Sequence, residues 1–133
     1  MSVQLKSAHL DLGIVTDNGD SMSHFYGTIL GFPEIQELSL PGIGRLKKYA
    51  VGESIIKIMI LAQSPKIAAN KAGIRGAIGY RYCAVHVNNL DDIIKTCKLA
   101  GCQISSDIQV LRPGCRIAIV EDPDGNSVEF FEE

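Results

Sequence analysis

The chain has 133 residues, of which 46% are hydrophobic and 21% charged, and its formal net charge is −2. This length and composition predict one soluble domain with a core of its own. The weak negative charge gives no reason to expect a nucleic-acid partner, and no apolar stretch is long enough to place the chain in a membrane.

The N-terminal residues and the cysteines indicate the cellular compartment of the protein. The first residues lack the apolar segment of a secretion signal. The four cysteines form no Cys-x-x-Cys pair, and each lies in or beside a predicted core element. We therefore expect reduced thiols in a cytoplasmic protein.

The first half of the chain predicts a strand, a helix and three further strands. The helix is expected over about 20–30, because its apolar residues form one stripe: Met22, Phe25, Tyr26, Ile29 and Leu30. Asp20 or Ser21 can cap its start, and Gly31 can end it. The strands are expected at 8–16, 34–40, 44–51 and 54–62.

The second half repeats this order of elements. A helix is expected over 89–100, where Leu90, Ile93, Ile94, Cys97 and Ala100 form the apolar stripe and Gly101 follows the end. The strands are expected at 80–87, 103–105, 115–121 and 126–132. The repeat divides the single domain 1–133 into module one (1–63), a linker (64–79) and module two (80–133).

The last two strands are joined by a turn with a clear chemical signature. In Asp122-Pro123-Asp124-Gly125, Pro123 restricts φ and Gly125 is free to adopt a positive φ. Side chains alternate along the returning strand, so Glu129 points away from the face that Val128 and Phe130 bury. A carboxylate in this place could be a metal ligand, a general base or simply a solvated side chain, and Glu129 is the candidate catalytic residue.

Three segments carry a recognisable pattern: His24 to Phe32, Tyr80 to Asp92, and Asp122 to Glu132. Together they resemble the vicinal oxygen chelate superfamily, which includes glyoxalase I, bleomycin and fosfomycin resistance proteins, and extradiol dioxygenases. The resemblance implies an α+β fold in which two tandem βαβββ modules form a curved mixed sheet around a cleft. It also implies a homodimer.

Alternation along the strands separates the helix-facing side chains from those expected in the cleft. An apolar row of isoleucines at 56, 58 and 60 should pack on the first helix. The predicted cleft and ligand-binding residues are then Lys57, Met59, Tyr82, His86 and Phe131, beside Glu129.

The register of the first strand stays open. The row of Leu10, Leu12 and Ile14 suits a helix-facing surface, which would place His9 and Asp11 in the cleft. Counting from Val15, as the family motif suggests, places Leu10 there instead, because a slip of one residue exchanges the two faces.

The resemblance also implies where a metal would bind. Metal enzymes of the family take histidine and glutamate ligands from the first and last strands of each module. Glu129 matches the last ligand, but Tyr82, Met59 (or less readily Lys57) and Leu10 stand at the other positions. A divalent metal is therefore not favoured, although His9, His86 and Glu129 form an alternative set. In that set His86 lies about 13 Å along the strand from the Tyr82 position.

Two function classes remain open, and both involve a small-molecule ligand. The first is a glyoxalase-like lyase or isomerase, or a dioxygenase, acting on a vicinal-oxygen substrate with Glu129 as acid or base. The second is a binding protein that sequesters a small hydrophobic or antibiotic-like ligand, as bleomycin-resistance proteins do. A simpler role for Glu129 is an ion pair with Lys57 or Arg116.

Overall fold

A computed structural model describes all 133 residues, and the chain divides into two compact units, residues 1–65 and 66–133. Each unit contains a four-stranded mixed sheet and one helical segment. The strand orders are β1-β4-β3-β2 and β5-β8-β7-β6, so the second unit repeats the topology of the first. This confirms the predicted α+β class built from tandem βαβββ modules. No helix in the chain has both the length and the apolar character needed to cross a membrane.

The elements of the first unit lie close to their predicted positions. In chain order they are β1 (Asp11–Thr16), α1 (Gly19–Ser23) continuing as a π-helical segment (His24–Ile29), β2 (Glu34–Leu40), β3 (Gly44–Val51) and β4 (Ser54–Leu61). Strand β1 begins three residues later than predicted. The parallel partner of β1 is β4, and β3 joins β4 and β2 by antiparallel pairing.

The first helix differs from its prediction in its start and in its geometry. Asn18, and not Asp20 or Ser21, is the N-cap residue, and no side chain caps the helix. Its second half is π-helical, with the Leu30 N–H donating to the Phe25 carbonyl at 2.9 Å. Gly31 ends the segment with a φ of 76°, as expected for a left-handed position after a helix.

The core of the first unit forms between this helix and one face of the sheet. Its most buried side chains are Met22, Phe25, Tyr26, Tyr49, Ile56 and Ile58. Gly27 permits a close contact, because a Cβ at that position would lie 2.9 Å from the Tyr49 ring. The isoleucine row of β4 therefore faces the helix, as predicted.

The register of β1 decides the alternative that the sequence left open. Leu12 pairs with Ile56 and Ile14 with Ile58, so the even-numbered residues of β1 lie on the helix-facing side. Asp11, Gly13 and Val15 therefore share the opposite face with Lys57 and Met59. Placing Leu10 on that face, as the family motif suggests, is wrong for this chain.

The second unit contains β5 (Tyr82–His86), α2 (Leu90–Leu99), β6 (Gln103–Arg112), β7 (Cys115–Glu121) and β8 (Ser127–Glu132). Strand β6 extends seven residues beyond its predicted end at 105. Register shifts between β6 and β7 at Ile104–Ser106 and Ser106–Gln109 explain the difference. Such irregularities break the period-two pattern from which a strand is recognised. The core of this unit includes Leu90, Ile94, Cys97, Val120, Val128 and Phe130.

Two acidic side chains hold α2 and the last hairpin in place. The Leu90 N–H at the start of α2 donates to Glu132 Oε2 at 2.9 Å, and Arg116 bridges Glu132 to Asp91. Asp122, which is 4% exposed, accepts hydrogen bonds from the N–H groups of Asp124 at 3.0 Å and Asn126 at 2.9 Å. The turn therefore has a fixed geometry before β8 begins.

Replacing Asp122 with alanine should destabilise the second unit. The change leaves the N–H groups of Asp124 and Asn126 without their acceptor, which costs about 1–3 kcal/mol. Chemical denaturation followed by circular dichroism measures the loss. The exposed Asp92 on α2 is the control, and Asp92→Ala should cost less than about 0.5 kcal/mol. An equal effect of the two changes would contradict this role of Asp122.

Glu132 should make stability depend on pH in the acid range. The hydrogen bond from the Leu90 N–H, followed by the hydrogen bond from Arg116, lowers the pKa of Glu132. Because the folded-state pKa is lower than the unfolded one, the stabilisation is complete above about pH 4.3 and declines as the pH falls through the folded value. Denaturation midpoints at several pH values should show a shallower acid decline for Glu132→Gln than for the native chain. Parallel declines of the two proteins would show that Glu132 does not contribute to the acid dependence of stability.

Candidate functional site

The face of the second sheet that points away from α2 carries four of the predicted ligand-binding and catalytic residues. Tyr82 and His86 of β5 lie on this face with Glu129 and Phe131 of β8. They do so because Tyr82 pairs with Ser127, Ala84 with Glu129 and His86 with Phe131. This register places all four side chains on one face of the sheet.

Glu129 lies at the centre of this face and has no charge partner within its unit. Its direct neighbours across the sheet are Ala84 on β5 and Ile119 on β7, neither of which can donate a side-chain hydrogen bond. Its side chain is half-buried and makes no hydrogen bond or ion pair there. A carboxylate in this setting is available to a ligand.

The two cations proposed as simple partners of Glu129 are engaged elsewhere. Arg116 lies on the helix-facing side, where it pairs with Asp91 at 2.8 Å and also with Glu132. Lys57 pairs with Asp11 at 2.8 Å. The geometry therefore offers no support for an ion pair between Glu129 and Arg116.

Phe131 is held between a histidine and an arginine. The centroids of the Phe131 and His86 rings are 4.9 Å apart with planes tilted by 52°, and Arg112 Cζ lies 5.8 Å from the Phe131 centroid. An arginine over an aromatic face gives a cation–π contact. Sequence reasoning missed Arg112, because the predicted β6 ended at 105 and no pattern signalled its extension to this residue.

The first sheet presents the other predicted ligand-binding residues on the face away from its helix. Met59 lies between Val15 and Leu46, in an apolar row. Lys57 donates to Asp11, and this hydrogen bond lowers the pKa of the Asp11 carboxyl. The structure thus places Lys57 and Met59 together in one unit and Tyr82, His86, Glu129 and Phe131 together in the other. A single pocket formed by all six stays a prediction.

Residues 6–130 match the Glyoxalase/Bleomycin resistance protein/Dioxygenase superfamily. The chain belongs to this superfamily. The match covers both repeated units and agrees with the resemblance seen in the three sequence segments. No curated protein is similar enough in sequence to count as a match.

Solved structures of the superfamily share the fold with this chain at low sequence identity. A glyoxalase family protein from Bacillus cereus has a TM-score of 0.83 at 17% identity, over 98% of this chain and 96% of that one. The trypanothione-dependent glyoxalase I of Leishmania major gives 0.76 at 17% identity, over 96% and 88%. An antibiotic-binding protein from a Streptomyces species gives 0.70 at 14% identity, over 97% and 98%. Similarity at this level establishes the fold and leaves the activity open.

The donor set of this superfamily member does not fit a divalent metal. No group of three or more histidine, cysteine, aspartate or glutamate side chains is placed to hold one. His86 pairs across the strands with Phe131 and not with Glu129. His9 lies 3.7 Å from Asp11, but the same carboxylate is bound by the Lys57 ammonium, which repels a cation.

Proposed function

We propose that this chain is a small-molecule-binding member of the superfamily that holds its ligand around Glu129 without a metal. One observation carries the proposal: a half-buried carboxylate without a charge partner in its unit, on a face lined by Tyr82, His86 and Phe131. A carboxylate in such surroundings gains most from a ligand that donates hydrogen bonds or carries a positive charge.

The neighbouring side chains indicate the class of ligand. Aromatic rings bind flat apolar bodies and cationic groups, and binding sites commonly combine an apolar lining with a few polar groups. We therefore expect a small hydrophobic or antibiotic-like compound with a cationic or hydrogen-bond-donating group. The fold similarity to an antibiotic-binding protein from Streptomyces is consistent with this class.

A second candidate is an enzyme of the lyase, isomerase or dioxygenase type. Glu129 stands at the position that matches the last acidic residue of the family's motif, and a carboxylate without a bound cation can accept a proton from a substrate. The donor set favours the metal-independent isomerase or lyase over the dioxygenase. Conversion of the methylglyoxal–glutathione adduct, measured with and without added Ni²⁺ or Zn²⁺, distinguishes this candidate from simple binding.

Assembly and location complete the proposal. We expect a cytoplasmic homodimer, with no nucleic-acid and no membrane partner. The support is that all four cysteines are free, as is usual in a reducing compartment, and that the net charge is −2. The dimer rests on the family resemblance, and light scattering after size-exclusion chromatography measures it directly.

Replacing Glu129 with glutamine should weaken binding of a cationic aromatic compound. The change keeps the size of the side chain and removes its charge, so we expect a loss of about 1–3 kcal/mol in binding free energy. Fluorescence titration with bleomycin and with the dye acriflavine measures the effect. Glu53→Gln, the same substitution at an exposed turn of the first unit, should leave binding unchanged.

A second variant, at Tyr82, tests the same face. Tyr82→Ala removes a ring from the same face and should also weaken binding. If both Glu129→Gln and Tyr82→Ala bind the two probes as the native chain does, the ligand does not contact this face. If Glu129→Gln instead abolishes turnover of the glutathione adduct, the enzyme candidate replaces the binding protein.

A further inference from the structure

The first sheet carries a row of polar residues that the proposed function does not use. Across the four strands, on the face away from the helix, Gly13 pairs with Lys57, Lys57 with Lys48, and Lys48 with Gln36. We call these four residues the lysine row. Its two lysines lie on β4 and β3, which are the central strands of the sheet.

The lysine row has more positive charge than its surroundings neutralise. Lys57 is paired with Asp11 at 2.8 Å, whereas Lys48 forms no ion pair and interacts with the Asp11 carboxylate only at longer range, where its charge helps to lower the pKa of Asp11. Two ammonium groups therefore share one carboxylate. Two further ion pairs of this sheet, Arg45 with Glu37 and Lys47 with Glu34, lie outside the row. Like charges directly opposite each other on neighbouring strands destabilise a sheet. This arrangement therefore has an unfavourable interaction that an anion would relieve.

The lysine row also has room for a ligand. Gly13 stands next to Lys57, and nothing lies within 4 Å of the position that a Cβ would occupy there. The space over Gly13, beside Lys57 in the register, is therefore open. Gln36, at the other end of the row, has a side-chain amide that can donate a further hydrogen bond.

An apolar row lies directly beside the lysine row on the same face. Val15 pairs with Met59, Met59 with Leu46, and Leu46 with Leu38, so one residue of this row comes from each strand. A ligand whose charged group reaches the lysines would lay the rest of its structure over these side chains. Binding sites that combine an apolar lining with a few polar groups favour ligands of this amphipathic kind.

We propose that the lysine row is an anion-binding site that takes an organic carboxylate with an apolar body. The ligand carboxylate accepts hydrogen bonds from Lys48 and from the protons of Lys57 that Asp11 does not use. Asp11 holds Lys57 in position, and the apolar row covers the hydrocarbon part. The site is built within the first unit and does not depend on Glu129.

Titration calorimetry with octanoate tests the proposal. The native chain should bind octanoate, and Lys48→Met should weaken binding about ten- to hundredfold, because a hydrogen bond to a charged group is lost. Lys47→Met is the matched control: it changes the same residue type at the next position of β3, where the side chain points to the other face and pairs with Glu34. Its affinity for octanoate should equal that of the native chain.

A second variant tests the free space in case Lys48→Met disturbs the fold. Gly13→Val introduces a strand-favouring side chain where nothing lies within 4 Å, so it should preserve the sheet and obstruct the approach to Lys57. It should weaken octanoate binding without changing any charge. Amide chemical shifts in two-dimensional NMR confirm the fold and report whether octanoate perturbs β3 and β4.

Four results would overturn the proposal. Equal binding of octanoate by the native chain and Lys48→Met would show that Lys48 does not contact the ligand. Equal binding of octylammonium and octanoate would show that only the apolar row attracts the ligand. Binding of inorganic phosphate as tight as that of octanoate would exclude a contribution of the apolar body. Absence of octanoate binding at millimolar concentration would exclude the site altogether.

Discussion

In each unit the helix packs on one face of the sheet, and this constraint determines which side chains lie on the other face, where a ligand can reach them. Because side chains alternate along a strand, a shift of one residue in register would exchange the two sets. In the second unit the register of β8 begins at the turn that Asp122 organises through the N–H groups of Asp124 and Asn126. The position of Glu129 thus depends on a buried carboxylate seven residues earlier.

The two units use the same topology to present different charged groups. The face of the second sheet carries a carboxylate among aromatic rings, and it suits a cationic or hydrogen-bond-donating compound. The face of the first sheet carries two lysines for one aspartate, beside an apolar row, and it suits an anion. A repeated βαβββ frame therefore allows each half to acquire its own binding chemistry, since substitutions on the face away from the helix leave the packed core unchanged.

The residues that differ from the metal-binding pattern of the superfamily all disfavour a bound metal. Tyr82 and Met59 stand where the family resemblance implies metal ligands, and the pairing of β1 with β4 places Val15, not Leu10, beside Met59. The Asp11 carboxylate, the one acid of that face near a histidine, is bound by Lys57. The Lys57 ammonium supplies positive charge on this face, as a metal ion would, but it needs no set of ligands around it. The polar groups of the first sheet therefore remain able to bind an anion.

The sequence by itself determined the repeat, the helix and strand order and the face on which Glu129 lies, because the hydrophobic periods and the Asp-Pro-Asp-Gly turn are local properties of the chain. It could not decide the register of β1, since Leu10, Leu12 and Ile14 are compatible with either face until Leu12 pairs with Ile56. It also missed the extension of β6 to Arg112, because irregular pairing removes the alternation that marks a strand. The neighbours of Lys57 and Lys48 lie on strands distant in sequence, so only the tertiary structure showed that Asp11 forms its ion pair with Lys57 and none with Lys48.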